Sequence, residues 1–210
     1  DELYEDERQY QIADPIYPFN KAMFHVNDKL YFWILKPAAQ GWRAVVPEMA
    51  RTGIKNFFYN LTTPVRLINA VFQAKLNKAE AEFARFLVNT SIGILGFGNP
   101  AQNYDELKVD PEDCGQTLGV YGVGHGFYIV WPVFGPSSFR DTFGLVGDHF
   151  MDPVSYVNPW EASIAASVTD KVNATSFRIG DYESFKEAAL LPYEAMRNAY
   201  VQNRDRKLVQ

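Results

Sequence analysis

Residues 115–139 read GQTLGVYGVGHGFYIVWPVFGPSSF, 25 consecutive positions without an aspartate, glutamate, lysine or arginine. A run of that length can cross a bilayer as a helix. Its glycines (Gly115, Gly119, Gly122, Gly124, Gly126, Gly135) and prolines (Pro132, Pro136) argue against one, because glycine costs backbone entropy and proline removes a donor. Irregular backbone sits at membrane depth only where protein, or water in a cavity, satisfies its polar groups. Two readings stay open: a buried loop of a soluble domain, or part of the wall of something that handles apolar cargo.

The rest of the chain narrows the frame. At 210 residues it fits one domain with a sizeable core,. Asp1, Glu2, Glu5, Asp6 and Glu7 against Arg8 place most of the net charge of -5 in the first ten residues. The body is nearly neutral, so nothing in it attracts nucleic acid by counterion release. Three parts are expected: an acidic flexible segment (1–13), a helical domain (14–203) and a charged tail (204–210). One cysteine, Cys114, excludes an internal disulfide framework and a thiolate metal cluster,. The chain shows no signal peptide and starts on a charged residue, so any leader or lipid anchor is expected upstream,.

Helical spacing recurs along the body. Phe19, Met23, Val26, Leu30 and Ile34 form an amphipathic pattern ending before Pro37, and Phe24, Tyr31, Phe32 and Trp33 widen its apolar surface,. Phe19, Met23, Phe24, Tyr31 and Trp33 are the candidate membrane-facing set. Pro47 opens a second helix, Thr63-Pro64 a third with Thr63 as N-cap, and Asn77 with Glu80 a fourth through a capping-box variant,. A second uncharged run, LVNTSIGILGFGNPAQNY (Leu87 to Tyr104), leads into a polar connection, so residues 93–113 read as a long excursion,. Ser138 and Asp141 make another capping box, Asn158-Pro159 starts the next helix, Asp181 to Leu191 reads as helical, and Pro192 opens the last segment. Only Phe127 to Phe134 resembles a strand, and Pro132 interrupts it,. The fold class is all-α.

Reactive constellations are scarce. No phosphate-loop or dinucleotide fingerprint is present, and no G-x-S-x-G,. His149 and Asp152 share a helix face but are two ligands without a third,. Arg140-Asp141 reads as an ion pair or cap that closes the uncharged run. No cofactor is expected.

Three blocks carry a family resemblance: VPEMARTGIKNFFYNLTTPVRLINAVFQAK (Val46 to Lys75), RFLVNTSIGILGFGNPA (Arg85 to Ala101) and EDCGQTLGVYGVGHGFYIVWPVFGPSSFRDTFG (Glu112 to Gly144). With DPIYPFNKAMF (Asp14 to Phe24), they make the chain resemble the MlaA, or VacJ, family of Gram-negative outer-membrane lipoproteins. The resemblance spans roughly residues 14 to 200. Cys114 stands where the family tends to carry phenylalanine.

The resemblance implies an all-helical, ring-like domain in the periplasmic leaflet of the outer membrane, anchored through an acylated cysteine upstream of this chain. It implies a passive amphipathic channel that removes mislocalised phospholipid from the outer leaflet. The implied partners are phospholipid, the outer membrane, a trimeric porin and a soluble periplasmic lipid carrier resembling MlaC. The candidate channel residues are Phe97, Gly98, Tyr121, Gly122, Gly124 and Phe127, with the 93–113 excursion as gate. The alternatives are a phospholipase built on Ser138 and a histidine, and a porin-associated scaffold without a lipid path.

Overall fold

The first helix does not stop before Pro37. In the computed structural model, which describes residues 12–209, helix α1 (Tyr17–Leu30) passes through a π-helical turn (Tyr31–Leu35) into α2 (Lys36–Val45). Proline lacks the donor an α-helix needs and crowds the preceding turn. The wider turn absorbs this change, with the Lys36 N–H donating to the Tyr31 carbonyl five residues back,. Most of the expected acidic segment lies outside the described residues.

Helices α3 (Glu48–Leu61), α4 (Thr63–Phe72) and α5 (Leu76–Ser91) follow in the order the sequence suggests. Two of their expected caps do not form. Thr62 rather than Thr63 precedes α4, and the Thr63 hydroxyl donates to the Asn60 carbonyl at 2.7 Å. Helix α5 starts on Leu76 after Lys75, so Asn77 lies inside it. The Ser138 cap does form: its Oγ accepts the Asp141 N–H at 3.1 Å. Asp113 supplies a further cap to α6 (Cys114–Val120), accepting the Gln116 N–H at 2.8 Å.

Residues 93–113 form the expected connection between α5 and α6. Ile94, Leu95 and Gly96 take left-handed φ values of 52°, 57° and 90° in succession. Such backbone is rare for a β-branched residue. The connection is held at its base, where the Asn89 Oδ1 accepts the Ala101 N–H and buried Glu112 meets Lys75 and Lys78 at 2.9 and 2.7 Å.

One expectation about the glycine-rich run needs correcting. Tyr128–Trp131 (β1) is a strand, paired antiparallel with Gly135–Ser138 (β2) in the register Tyr128↔Ser138 to Trp131↔Gly135. Pro132 does not break it, because it falls in the turn immediately after β1 and leaves the ladder donors intact. The hairpin docks on α1 through Asn20, whose Nδ2 donates to the Tyr128 carbonyl and whose Oδ1 accepts the Val130 N–H, both at 2.8 Å. Phe24, Tyr128, Val130 and Tyr193 form a small aromatic core there.

Helix α7 (Phe139–Met151), α8 (Trp160–Ser176), α9 (Asp181–Ala188) and α10 (Pro192–Leu208) complete the all-α domain. The helix expected over Asp181 to Leu191 ends at Ala188, leaving Leu190 and Leu191 exposed. The expected tail at residue 204 is also revised: α10 continues to Leu208 and Arg204 turns inward. Arg204 finds carboxylate partners inside the fold, which draw the last helical turns onto the body.

Candidate functional site

The burial pattern is inverted relative to an ordinary water-soluble domain. Among the described residues, buried polar and charged side chains outnumber buried apolar ones, and several of the latter are alanines. Arg140 and Glu82 are each 2% exposed, whereas Trp33 is 73% and Ile94 76% exposed. Buried polar groups and exposed apolar patches are the informative departures from the usual rule.

The inversion is built helix by helix. On α7, Phe139, Phe143, Val146 and Phe150 face outward at helical spacing, while Arg140, Asp141 and Gly144 are buried. Trp160, Ile164 and Val168 line the exterior of α8, whose Asn173 and Ser176 are buried. Helix α5 exposes Leu76, Phe83 and Leu87 and buries Glu82 and Asn89. No helix among the described residues is long and apolar enough to cross a membrane. The apolar surface is therefore spread over several short helices.

Glycines allow the polar interior to close. A Cβ on Gly144 would stand 2.4 Å from the Gly115 nitrogen, so α6 and α7 meet backbone to backbone. One on Gly115 would lie 2.5 Å from Asp141 Oδ1 and 2.6 Å from Arg204 Nη2. These spacings let charged side chains pack directly over the α6 backbone.

Arg204 is the hub. Its Nη1 and Nη2 donate to Asp113 Oδ2 and Oδ1 at 2.6 and 2.8 Å, and its Nη2 also reaches Asp141 Oδ1 at 3.1 Å. Its Nε lies 2.7 Å from Asp141 Oδ2, at an angle that makes this a charge contact rather than a hydrogen bond. Arg140 Nε donates to Asp141 at 2.8 Å, and the Tyr200 hydroxyl donates to the same carboxylate. Burial pushes Asp141 up, but Arg140, Arg204 and Tyr200 outweigh it and hold the carboxyl below the usual range,. Asp113 behaves alike, burial being outweighed by Arg204.

Asp148 differs. Its Oδ1 accepts from Asn69 Nδ2 at 3.1 Å and from the Cys114 N–H at 2.9 Å, and no cation pairs with it among the described residues. Burial dominates and pushes its carboxyl up to about 6. Asp113, Asp141, Asp148, Tyr200 and Arg204 together border a cavity of about 170 Å³ with Phe134, Pro136 and Leu145 on its wall. A second buried pair joins Arg66 Nε to both oxygens of Glu82 at 3.0 Å, with the Arg66 guanidinium 3.8 Å from the Tyr59 ring centroid.

The sequence candidates fall in separate places. Phe97 stacks on Phe57 with centroids 4.8 Å apart, and Gly98 packs against Gly93, both in the 93–113 connection. Tyr121 is exposed and donates to the Phe72 carbonyl at 2.6 Å, while Phe127 stacks on Phe139 at 5.2 Å. Gly122 and Gly124 border open space, so close approach is not what requires glycine at either position; Gly122 is left-handed at φ 86°. No hydrogen bond or ring contact among the described residues joins Phe97 or Gly98 to the 121–127 loop.

In the N-terminal set, Phe19 and Trp33 are exposed, but Phe24 turns into the core against Tyr193 and Met23 packs beside it. Tyr31 donates to Glu183 at 2.8 Å. The helical period explains the split: residues 23 and 24 lie on the side where the hairpin docks, and 19 and 33 do not.

Ser138 is buried as a helix cap, and its recorded partners do not include a histidine. His149 pairs instead with Ser155, 2.9 Å from Nδ1. Among the described residues no group of three potential ligands is placed to hold a metal ion.

The interior set of Asp113, Asp148, Arg204, Asn69 and the Arg66–Glu82 pair went unread in the sequence. Only the Arg140–Asp141 pair was signalled, by its place at the end of the uncharged run. The others pair across 16 to 91 positions of the chain, from Arg66–Glu82 to Asp113–Arg204, and are brought together only by helix packing.

Comparison with known proteins supplies the context. The family model for the MlaA lipoprotein matches residues 12–207. The chain is 33% identical over 196 residues to the intermembrane phospholipid transport system lipoprotein MlaA of Escherichia coli K12, covering 92% of this chain and 77% of that protein. The protein of the same description from Haemophilus influenzae is 34% identical over 195 residues, covering 90% and 77%. A solved chain from work on the structural basis for maintenance of bacterial outer membrane lipid asymmetry superposes with a TM-score of 0.80 at 33% identity, covering 92% of this chain and 98% of that one. A match across nearly the whole domain, together with identity above 30%, places the chain in the MlaA lipoprotein family.

Proposed function

We propose that the protein is a phospholipid transport protein of the Gram-negative outer membrane, a passive conduit that removes mislocalised phospholipid and hands it to a soluble periplasmic carrier. The observation that carries this reading is the inversion of the fold: apolar stripes outside α5, α7 and α8, and a charged, hydrogen-bonded interior behind them. Acyl chains need unbroken apolar surroundings, since taking two sixteen-carbon chains into water costs on the order of 20 kcal/mol. A headgroup needs polar partners along its route. The relatives' description as intermembrane phospholipid transport lipoproteins supports the same reading.

In this reading the exposed stripes lie in the acyl region of the periplasmic leaflet, and an acylated cysteine upstream of the chain anchors the domain. A trimeric porin and an MlaC-like carrier are its protein partners. Phe97, Gly98, Tyr121, Gly122, Gly124 and Phe127 flank the lipid route, with residues 93–113 as its gate. The test is to delete the gene and quantify phospholipid in the outer leaflet. Accumulation that is reversed by the wild-type gene is expected; an unchanged leaflet overturns the proposal.

A further inference from the structure

We propose that the cavity between α6, α7, α10 and the hairpin turn is a subsite for the primary ammonium of an aminophospholipid headgroup, with Asp148 as its counter-charge. This rests on the conduit reading above. Two independent observations point to that ligand.

The first is charge. Arg204 is engaged by Asp113 and Asp141 and Arg140 by Asp141, two guanidiniums against two carboxylates, so their charges balance. Asp148 borders the same cavity and is left over. Both of its recorded hydrogen bonds fall on Oδ1 and come from neutral donors, Asn69 and the Cys114 amide. Oδ2 receives none among the described residues. Asp148 is half-buried at the cavity edge with no cation beside it among the described residues, and a ligand ammonium would supply both the missing charge and the missing donors.

The second is the wall opposite the carboxylates. Phe134, Pro136 and Leu145 line the cavity, and Phe134 and Leu145 are also among the exposed apolar residues. Leu145 lies next to Val146 of the outward stripe on α7. A free amine or a metal ion has no use for such a wall. A lipid whose charged end enters while its acyl part stays on the apolar exterior uses both surfaces. The volume, about 170 Å³, suits the small end of a headgroup and not an acyl chain. A primary ammonium brings three donors, whereas a glycerol headgroup brings no positive charge.

The test uses the full chain purified in detergent micelles and native mass spectrometry of bound lipid. Phosphatidylethanolamine, its N-acetylated form, which lacks the positive charge, and phosphatidylglycerol are offered in equal amounts. Wild-type protein is expected to retain phosphatidylethanolamine about tenfold over the other two, the scale of one charged hydrogen bond. Asp148→Asn, which keeps an Oδ1 acceptor for Asn69 and Cys114, is expected to bring the ratio close to one. The N-acetyl comparison on unaltered protein answers the question even if the variant fails to fold. Equal retention of the three lipids by wild type overturns the subsite, as does a preference that survives in Asp148→Asn. Wild-type protein that binds none of the three would overturn the conduit reading itself.

Discussion

Gly144 lies against the backbone of Gly115, so close that a Cβ on Gly144 would stand 2.4 Å from the Gly115 nitrogen. The contact brings α6 onto α7 at the point where Asp113, Asp141 and Arg204 converge. Gly144→Ala is therefore expected to destabilise the fold by about 1–3 kcal/mol through overpacking, and more if the helices cannot separate. Denaturant unfolding in a fixed detergent measures it, and an unchanged midpoint would show that the two helices separate freely.

The nearby loop gives the opposite expectation at one position. Gly124 borders open space, so Gly124→Ala should leave stability within about 0.5 kcal/mol of wild type,. Gly122 is equally open but left-handed at φ 86°, so Gly122→Ala should cost about 1 kcal/mol from backbone strain alone,. Thermal unfolding of the two single variants side by side separates conformation from crowding.

Removing the hub charge should be far more damaging. Arg204→Met leaves buried Asp141 and half-buried Asp113 without their shared guanidinium, at an expected cost of about 3 kcal/mol,. A variant that unfolds like wild type would mean that water, rather than Arg204, satisfies those carboxylates.

Acid and base should act on the network with opposite signs. The carboxyls of Asp113 and Asp141 are held low in the fold, so their stabilisation is present above the ordinary aspartate range and lost as pH falls through their folded values,. Asp148 is raised to about 6, so its burial penalty grows as pH rises from about 4 through 6,. Stability is expected to peak at mildly acidic pH. Asp148→Asn should flatten the fall between pH 5 and 7.5, with a gain at the upper end on the order of 1 kcal/mol after solvent screening,. Unfolding midpoints across pH for the two proteins provide the check.

The apolar exterior makes a separate demand. Phe143 and Ile164 are exposed on α7 and α8, so Phe143→Glu and Ile164→Glu should leave the fold intact in detergent and weaken its retention by membranes. A charge placed at hydrocarbon depth costs about 2.5–3.5 kcal/mol on insertion scales. Flotation with liposomes reads the effect, and full retention of both variants would place these stripes outside the lipid.

The sequence by itself determined the helical class, most helix starts, the Ser138 cap and the strangeness of residues 115–139. These are local properties: spacing, capping chemistry and the backbone limits of glycine and proline act over a few residues. It also carried the family blocks, since their pattern is written in order along the chain. Tertiary structure decided the rest. Pro37 is passed because a π-turn rearranges the ladder around it, and Phe24 faces inward because the hairpin docks on that side of α1. Arg204 belongs to the interior rather than to a tail because Asp113 and Asp141 lie far from it in sequence and only helix packing brings the three together. The same holds for the inversion itself. A helix pattern shows two faces, but which face meets protein and which meets the surroundings depends on neighbours that the pattern does not name.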